Sequence, residues 1–316
     1  MNERRMFSKP EEPRVMVVGS SNTDMVIKME RLPAPGETVL GGEFLMIPGG
    51  KGANQAVAAA RLGARVSFVA RLGMDVFGDT SLRNFEKEGI DTEFIARDAE
   101  HPSGVALIFV DRHGENMIAV APGANSRLSP ADVERASDRM SACSVLVLQL
   151  EIPLSAVEVA ARLAREKGLK VILNPAPACE GGLPGSLLNL VDVLVPNESE
   201  ARALLGLAPD ADVDSAASGL LDLGVGSAIV TLGTRGSLVV TRDGIESVPA
   251  FRVTAVDTTA AGDAFTGAMA VALASGISLL DAARFASQAA ALSVTKMGAQ
   301  SSLPTAEELA QFLQRL

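Results

Sequence analysis

Ala255-Val256-Asp257-Thr258-Thr259-Ala260-Ala261-Gly262-Asp263-Ala264-Phe265 is the stretch in which chemistry is easiest to place. An apolar strand end runs into small residues and then into an aspartate in the first turn of a long helix. Backbone N–H groups at a helix start have no partner within the helix, so those of Ala261, Gly262 and Asp263 are expected to stand free for charge developing on a transferring group. Ala260, Ala261 and Gly262 leave clearance for that group. Asp263 then sits where a hydroxyl would lie between it and a γ-phosphate, in the position of a general base. The competing explanation is that Asp263 caps the helix and complements its dipole. A cap alone gives no reason for the small residues before it.

Two polar sets precede it in the chain. In Pro48-Gly49-Gly50-Lys51-Gly52-Ala53-Asn54-Gln55, glycines before a helix let a ligand approach backbone donors, and Lys51 and Asn54, three apart, project from one turn. Lysine donates to hydroxyls, whereas asparagine both donates and accepts, which suits a vicinal diol. The stretch is not a Walker A loop, because Leu45 and Gly52 stand where that motif needs Gly and Ser or Thr. The glycines by themselves ask for no more than an ordinary glycine-rich helix start. In Gly19-Ser20-Ser21-Asn22-Thr23-Asp24, Asn22 and Asp24 are two apart, so in an extended segment they point the same way; a plain turn explains the same residue types. Glu151, after the apolar run VLVLQL, lies at another strand end and is placed to face the same crevice.

A flat glycine-lined surface, suited to a nucleotide's phosphates and ribose, is expected at Thr231-Leu232-Gly233-Thr234-Arg235-Gly236, where a hairpin turn is the plainer alternative. In Pro196-Asn197-Glu198-Ser199-Glu200, Asn197 is a natural N-cap, and Glu198 or Glu200 is a candidate to orient hydrated Mg²⁺, although acidic first turns need no ligand to explain them. His101 and His113 read as solvent-exposed loop residues without a role.

Positioning these groups falls to an alternation of strands and helices. Val15–Gly19, Val66–Ala70, Val145–Leu150, Val171–Leu173, Val191–Val195 and Ser227–Leu232 read as buried strands. Helices are expected over Lys51–Leu62, Phe77–Glu88, Pro130–Met140, Leu154–Lys167, Glu198–Leu205, Ala211–Leu223, Gly262–Ala274 and Leu279–Thr295. The pattern predicts an α/β fold with a mostly parallel central sheet covered by helices on both faces. Residues 25–47 and 103–120 break it: neither has a following helix, and together they read as a small antiparallel sheet standing off the main domain, either a lid or an edge extension.

The bulk properties narrow the partners. The chain has 316 residues and a net charge of −10, which argues against a surface built for nucleic-acid phosphates. Two cysteines, Cys143 and Cys179, and two histidines make neither a disulfide framework nor a zinc site. The charged start has no apolar region like that of a signal peptide, and no apolar run reaches the ~20 residues a membrane span needs. A cytoplasmic protein is expected.

Taken together, the motifs resemble the ribokinase family, the phosphofructokinase-B type of sugar kinase. GGKGANQA, NPAPA at residues 174–178, PNESE and DTTAAGD come in that family's order, and the resemblance runs from Val15 to Pro304. It implies a three-layer kinase domain over residues 14–316 with a β-sheet lid, preceded by a flexible tail over residues 1–13. It implies ATP-dependent phosphorylation of the ribose 5-hydroxyl, with 2-deoxyribose or another furanose as the alternative substrate. Sugar contacts carry over to Asn22, Asp24, Gly50, Lys51, Asn54, Glu151 and Asp263, and nucleotide contacts to Asn197, Thr231 through Gly236, Gly262 and Ser287. A monovalent cation, potassium in such enzymes, would be held by Asp257, Thr259, Ser293, Lys296, Gly298 and Ser302, several through carbonyls. A homodimer joined through the lids is also implied. Pro48 stands where an aromatic is common in relatives, and Ser287 where they vary. A dinucleotide oxidoreductase is disfavoured by the lack of G-x-G-x-x-G after the first strand, and a sugar-sensing pseudokinase by the presence of Asp263.

Overall fold

A computed structural model describes residues 12–179 and 181–314; of the expected tail over residues 1–13, residues 1–11 lie outside them. The main sheet is built from β1 (Arg14–Val18), β4 (Arg65–Gly73), β5 (Ile95–Asp98), β8 (Val145–Leu148), β9 (Lys170–Leu173), β10 (Val193–Leu194), β11 (Ser227–Thr231), β12 (Ser237–Thr241) and β13 (Gly244–Val248). Their order is β13-β12-β11-β10-β9-β8-β1-β4-β5. From β11 to β5 neighbours run parallel, and β12 and β13 add an antiparallel edge. Continuous apolar runs suit strands covered on both faces. In β1, Val15 and Val17 enter the layer formed with the helices Lys51–Arg61, Ala261–Ala274 and Leu279–Ser293, while Met16 and Val18 enter the opposite layer with Leu154–Glu166.

The second sheet has the order β3-β2-β6-β7, from β2 (Asn22–Lys28), β3 (Glu43–Gly49), β6 (Gly104–Val110) and β7 (Asn116–Ala121). Its two hairpins are antiparallel as expected, and they join through β2 and β6, which run parallel. The two segments are far apart in the chain, so no local turn dictates how they meet. β2 starts at Asn22 rather than Met25, which puts Asn22 and Asp24 in the base of this sheet. Paired residues share a face. One face carries Asp24, Val26, Leu45, Ile47, Ile108 and Ile118 and looks onto a cleft of about 830 Å³ against the main domain. The other carries Phe44, Met46, Leu107 and Met117, all substantially exposed.

Four expectations are corrected. The predicted helix Pro130–Met140 is two short ones, Pro130–Glu134 and Ser137–Met140, broken where Ala136 leaves helical geometry at φ −89° and ψ 0°. Residues 211–223 also form two, Val213–Ala216 and Gly219–Asp222; Asp212 caps the first by accepting from Asp214 N, and a glycine opens the second. The strand expected over Val191–Val195 pairs only at Val193–Leu194, because Val191 N is held in a turn by Leu188 O and Pro196 follows. Order extends ahead of residue 14, since Arg65 N donates to Pro13 O at 2.8 Å.

Candidate active site

The helix Lys51–Arg61 begins at Gly50, whose φ of +88° and closeness to the Asn22 backbone leave no room for a Cβ: one would lie 2.6 Å from Asn22 N. This glycine lets the helix start lie against the base of the second sheet. Gly50 has no side chain to cap the helix, and Glu151 does so from β8's far end, accepting from Lys51 N at 3.0 Å and Ser20 Oγ at 2.6 Å. Asn22 is fixed by a residue the sequence did not single out. Asn125 accepts from Ser21 N at 2.9 Å and donates to Ser21 O at 3.0 Å and to Asn22 Oδ1 at 2.8 Å. That leaves the Asn22 amide N–H₂ for a ligand.

Asp263 is not a cap. It is the third residue of the helix Ala261–Ala274, which has no side-chain cap, and it is 6% exposed. Its carboxylate accepts from Asn54 Nδ2 and from Gln55 Nε2, both at 2.9 Å. Burial pushes its pKa up, opposed by Lys51 and by the two amides. Asp24 is pushed up to about 7 by burial and then by the charges of Glu151 and Asp263. Burial alone would lower the Lys51 ammonium, but Asp263, Glu151 and Glu200 together hold it above its ordinary value. Three carboxylates around one lysine form a dense acceptor set for hydroxyls. The Asn54 Oδ1 is buried with no partner among the described residues.

From Asp263 and Lys51 a cleft of about 690 Å³ runs to Asn197, Glu200 and Thr231–Thr234. It shares Thr231, Gly233, Thr234, Thr258, Ala261 and Gly262 with an apolar cleft of about 650 Å³ that reaches Phe251, Val253, Phe265 and Ser287. A groove polar beside Asp263 and apolar at its far end fits a nucleoside triphosphate, phosphates inward and base outward. Ala260 marks the junction: at φ +59° it is the one non-glycine residue of positive φ among the described residues, a strained conformation of the kind that clusters at ligand sites.

The structure changes some expected roles. The Ala261 N–H is not free: it donates to Thr258 O at 3.2 Å across the turn that Ala260 closes, so the donors without an acceptor among the described residues are those of Gly262 and Asp263. Arg235 lines neither cleft, because its guanidinium turns to Asp214 at 2.7 Å and Glu198 at 3.3 Å. Glu198 is paired as well with Arg202 at 2.6 Å, leaving it a poor metal ligand. Glu200 lines the cleft; one oxygen accepts from Asn197 N at 2.9 Å, leaving the other for a hydrated ion. Asn197 spends its own Oδ1 on Glu200 N. His101 is partly buried against Asp98 rather than free in solvent, and His113 is exposed.

The six residues expected around a monovalent cation lie on two segments, 257–259 and 293–302, that are stitched together. Asp257 accepts from Thr259 Oγ1 at 2.6 Å and from Gly298 N at 2.8 Å, and the N–H groups of Val256 and Asp257 both donate to Val294 O. Lys296 N donates to Ser293 O at 3.0 Å, and Ser302 Oγ to Ala299 O at 2.8 Å. The Lys296 ammonium leaves toward Glu308 at 2.6 Å, so only its carbonyl is offered. Asp257 is the one carboxylate among the six, and the Ser293 carbonyl already accepts from Lys296 N. Among the described residues no cluster of three or more His, Cys, Asp or Glu offers a transition-metal site.

Known proteins share this architecture. The chain is 45% identical over 300 residues to a ribokinase of Haemophilus influenzae, covering 94% of this chain and 97% of that one. It is 41% identical over 301 residues to a deoxyribokinase of Salmonella typhi, covering 95% and 98%. The structure of Arabidopsis thaliana ribokinase complexed with ribose and ATP superposes with a TM-score of 0.87 at 32% identity, covering 96% of this chain and 99% of that one. A model of the pfkB family of carbohydrate kinases matches residues 12–306. With that match over nearly the whole length, this chain belongs to the pfkB family of carbohydrate kinases.

Proposed function

We propose that this protein transfers the γ-phosphoryl group of ATP to the 5-hydroxyl of D-ribose, giving ribose 5-phosphate and ADP. The observation that carries the reading is Asp263, buried between two amide donors where the lid-side pocket meets the nucleotide groove, with no capping duty to explain it. Asn22, Asp24, Lys51 and Asn54 hold the sugar hydroxyls. Asp263 takes the 5-hydroxyl proton as that oxygen bonds to the γ-phosphorus and the bond to the β-phosphate oxygen breaks, with no covalent enzyme intermediate. The Gly262 and Asp263 N–H groups meet charge on the transferring group. Mg²⁺ supplies charge neutralisation on the phosphates when bound, and Glu200 is the residue placed to hold its water shell. Potassium on the 257–259 and 293–302 loops would order the backbone beside Gly262.

The domain is a single unit whose lid, residues 25–47 and 103–120, excludes water from the transfer. The exposed outer row of Phe44, Met46, Leu107 and Met117 supports a homodimer through the lids. Cytoplasmic residence is supported by the two free cysteines; no described helix is long and apolar enough to cross a membrane. A second reading, 2-deoxyribose as the preferred sugar, is favoured by the 41% identity to a deoxyribokinase. A coupled ADP-release assay over a sugar panel decides. Each buried polar group left unpaired by a missing hydroxyl costs about 1–3 kcal/mol, so ribose should give the highest kcat/KM and 2-deoxyribose less. Higher kcat/KM for 2-deoxyribose, fructose or a nucleoside would remove ribose as the substrate.

A further inference from the structure

Behind Asp263 lies a chain of buried amides, reaching the groove wall only at Asn174, that the reaction scheme does not use. Gln55 and Gln149 are fully buried and Asn174 nearly so. Gln149 Nε2 donates to Gln55 Oε1 at 2.6 Å. Gln55 Nε2 in turn donates to Asp263 Oδ1 at 2.9 Å and to Asn174 Oδ1 at 3.1 Å, and Asn174 Nδ2 donates to Val195 O at 2.8 Å.

The direction of this chain is dictated from its two ends. A main-chain carbonyl can only accept, so Val195 O forces the Asn174 amide to turn its oxygen toward Gln55. Gln55 must then present both hydrogens, one to Asn174 and one to Asp263, and its oxygen to Gln149. Turning the Gln55 amide over would set its oxygen against the Asp263 carboxylate and against Asn174 Oδ1, breaking all three bonds. Asn54, the preceding residue on the same helix, reaches the other carboxylate oxygen at 2.9 Å. Successive helix residues diverge by about 100°, so the two amides approach the carboxylate from different sides and fix its plane.

We infer that Gln55, oriented by Gln149 and Asn174, is a positioning residue that holds the Asp263 carboxylate in the plane from which it takes the substrate hydroxyl's proton. The inference rests on Asp263 being the base of the proposed reaction. Without the Gln55 donor the carboxylate keeps only Asn54 and is free to rotate toward the Lys51 ammonium, whose charge attracts it. Sugar and nucleotide contacts would survive while the base loses its aim.

Gln55→Met keeps the length of the side chain and removes the donor. A hydrogen bond to a charged group has an effect worth roughly ten- to a hundredfold, and that loss should appear in kcat. KM for sugar and for ATP should stay within about twofold, the signature of an interaction made in the transition state. The acid limb of the kcat–pH profile should move to higher pH, because the ionised carboxylate has lost a donor. The decisive measurement repeats Gln55→Met in an Asp263→Asn background. A residue acting through that carboxylate costs nothing further there, whereas a residue that merely props up the fold costs the same factor in both backgrounds. Wild-type kcat in Gln55→Met, or equal losses in the two backgrounds, would overturn the inference. Should Gln55→Met fail to fold, Gln149→Met removes only the orienting bond. It should give a smaller kcat loss that likewise vanishes in the Asp263→Asn background, and a loss that persists there counts against the inference. If Asp263→Asn itself keeps its kcat, the base assignment has failed; if it loses kcat while Gln55→Met does not, only the positioning role has.

Discussion

Replacing Asp263 by asparagine separates proton transfer from everything else the residue does. Asparagine matches aspartate in size and cannot accept the hydroxyl proton at neutral pH. General-base assistance is typically worth ~10²–10⁴ in rate, so kcat should fall by that factor, roughly 3–5 kcal/mol of barrier. The structural cost follows from the two hydrogen bonds. The new side chain has one oxygen for two donors, Asn54 Nδ2 and Gln55 Nε2, so one donor would face an NH₂ group. Gln55 is locked by its neighbours, but Asn54 is not: its Oδ1 is buried without a described partner, and half a turn of its amide offers that oxygen to the new N–H. The stability penalty is therefore confined to about one neutral hydrogen bond, ~1 kcal/mol, and is offset in part because a neutral amide no longer bears the burial cost of a charge. ADP release measured by a coupled assay at saturating sugar and ATP reads kcat, nucleotide titration reads ATP affinity, and thermal melts run alongside attribute lost activity to chemistry. ATP affinity should stay near wild type and the melting temperature should drop by only a few degrees. A variant that keeps most of its kcat would refute the assignment of Asp263 as the base.

Three further outcomes are expected. Asp24 titrates near 3.8 when unfolded and is pushed up to about 7 in the fold, so it favours the folded state at low pH and that contribution is lost as pH rises from about 4 to about 7. The melting temperature of the sugar-free wild type, taken relative to Asp24→Asn, should decline across that window, and a flat difference would contradict the buried environment of Asp24. In Gly267→Ala, the new Cβ would lie 2.6 Å from Ala58 Cβ and 2.9 Å from Gln55 O; overpacking of about 1–3 kcal/mol should outweigh a helix-propensity gain of about 1 kcal/mol. Both stability and kcat should fall, and a higher melting temperature would disprove the close helix crossing. Activity should rise when potassium replaces a bulky organic cation at equal ionic strength, and an unchanged rate would remove the cation site.

Much of the scaffold was legible because its signals are local. The runs VMVV, VLVL and VIL are apolar and buried at every position, which only a strand covered on both faces tolerates, and the helices between them carry their own periodicity and caps. The helix Glu198–Leu205 matches its expectation because Asn197 and Glu200 close a capping box within four residues. The stretches that broke have caps at their starts, Ser129 and Asp212, but no side-chain cap at the break itself, where Ala136 and Ser218 make none, and short interior breaks are set by packing.

One residue of the site was readable too, since capping alone gives no reason for the Ala-Ala-Gly before Asp263, whereas the glycines before Lys51 asked by themselves for no more than an ordinary helix start. What those residues touch was decided by tertiary structure alone. Gln55 reads in the sequence as one more polar helix residue. It becomes Asp263's second donor because Gly267 lets the helix Ala261–Ala274 settle against Lys51–Arg61. Asn125 fixes Asn22 across 103 residues, and Glu151 caps a helix 100 residues away. Arg235, expected among the nucleotide contacts, is held instead by Glu198 and Asp214. Sequence specifies hydrophobic period and local capping, which act over a few residues. Partners of buried polar groups depend on which elements cross, and the crossing follows from packing summed over the whole core.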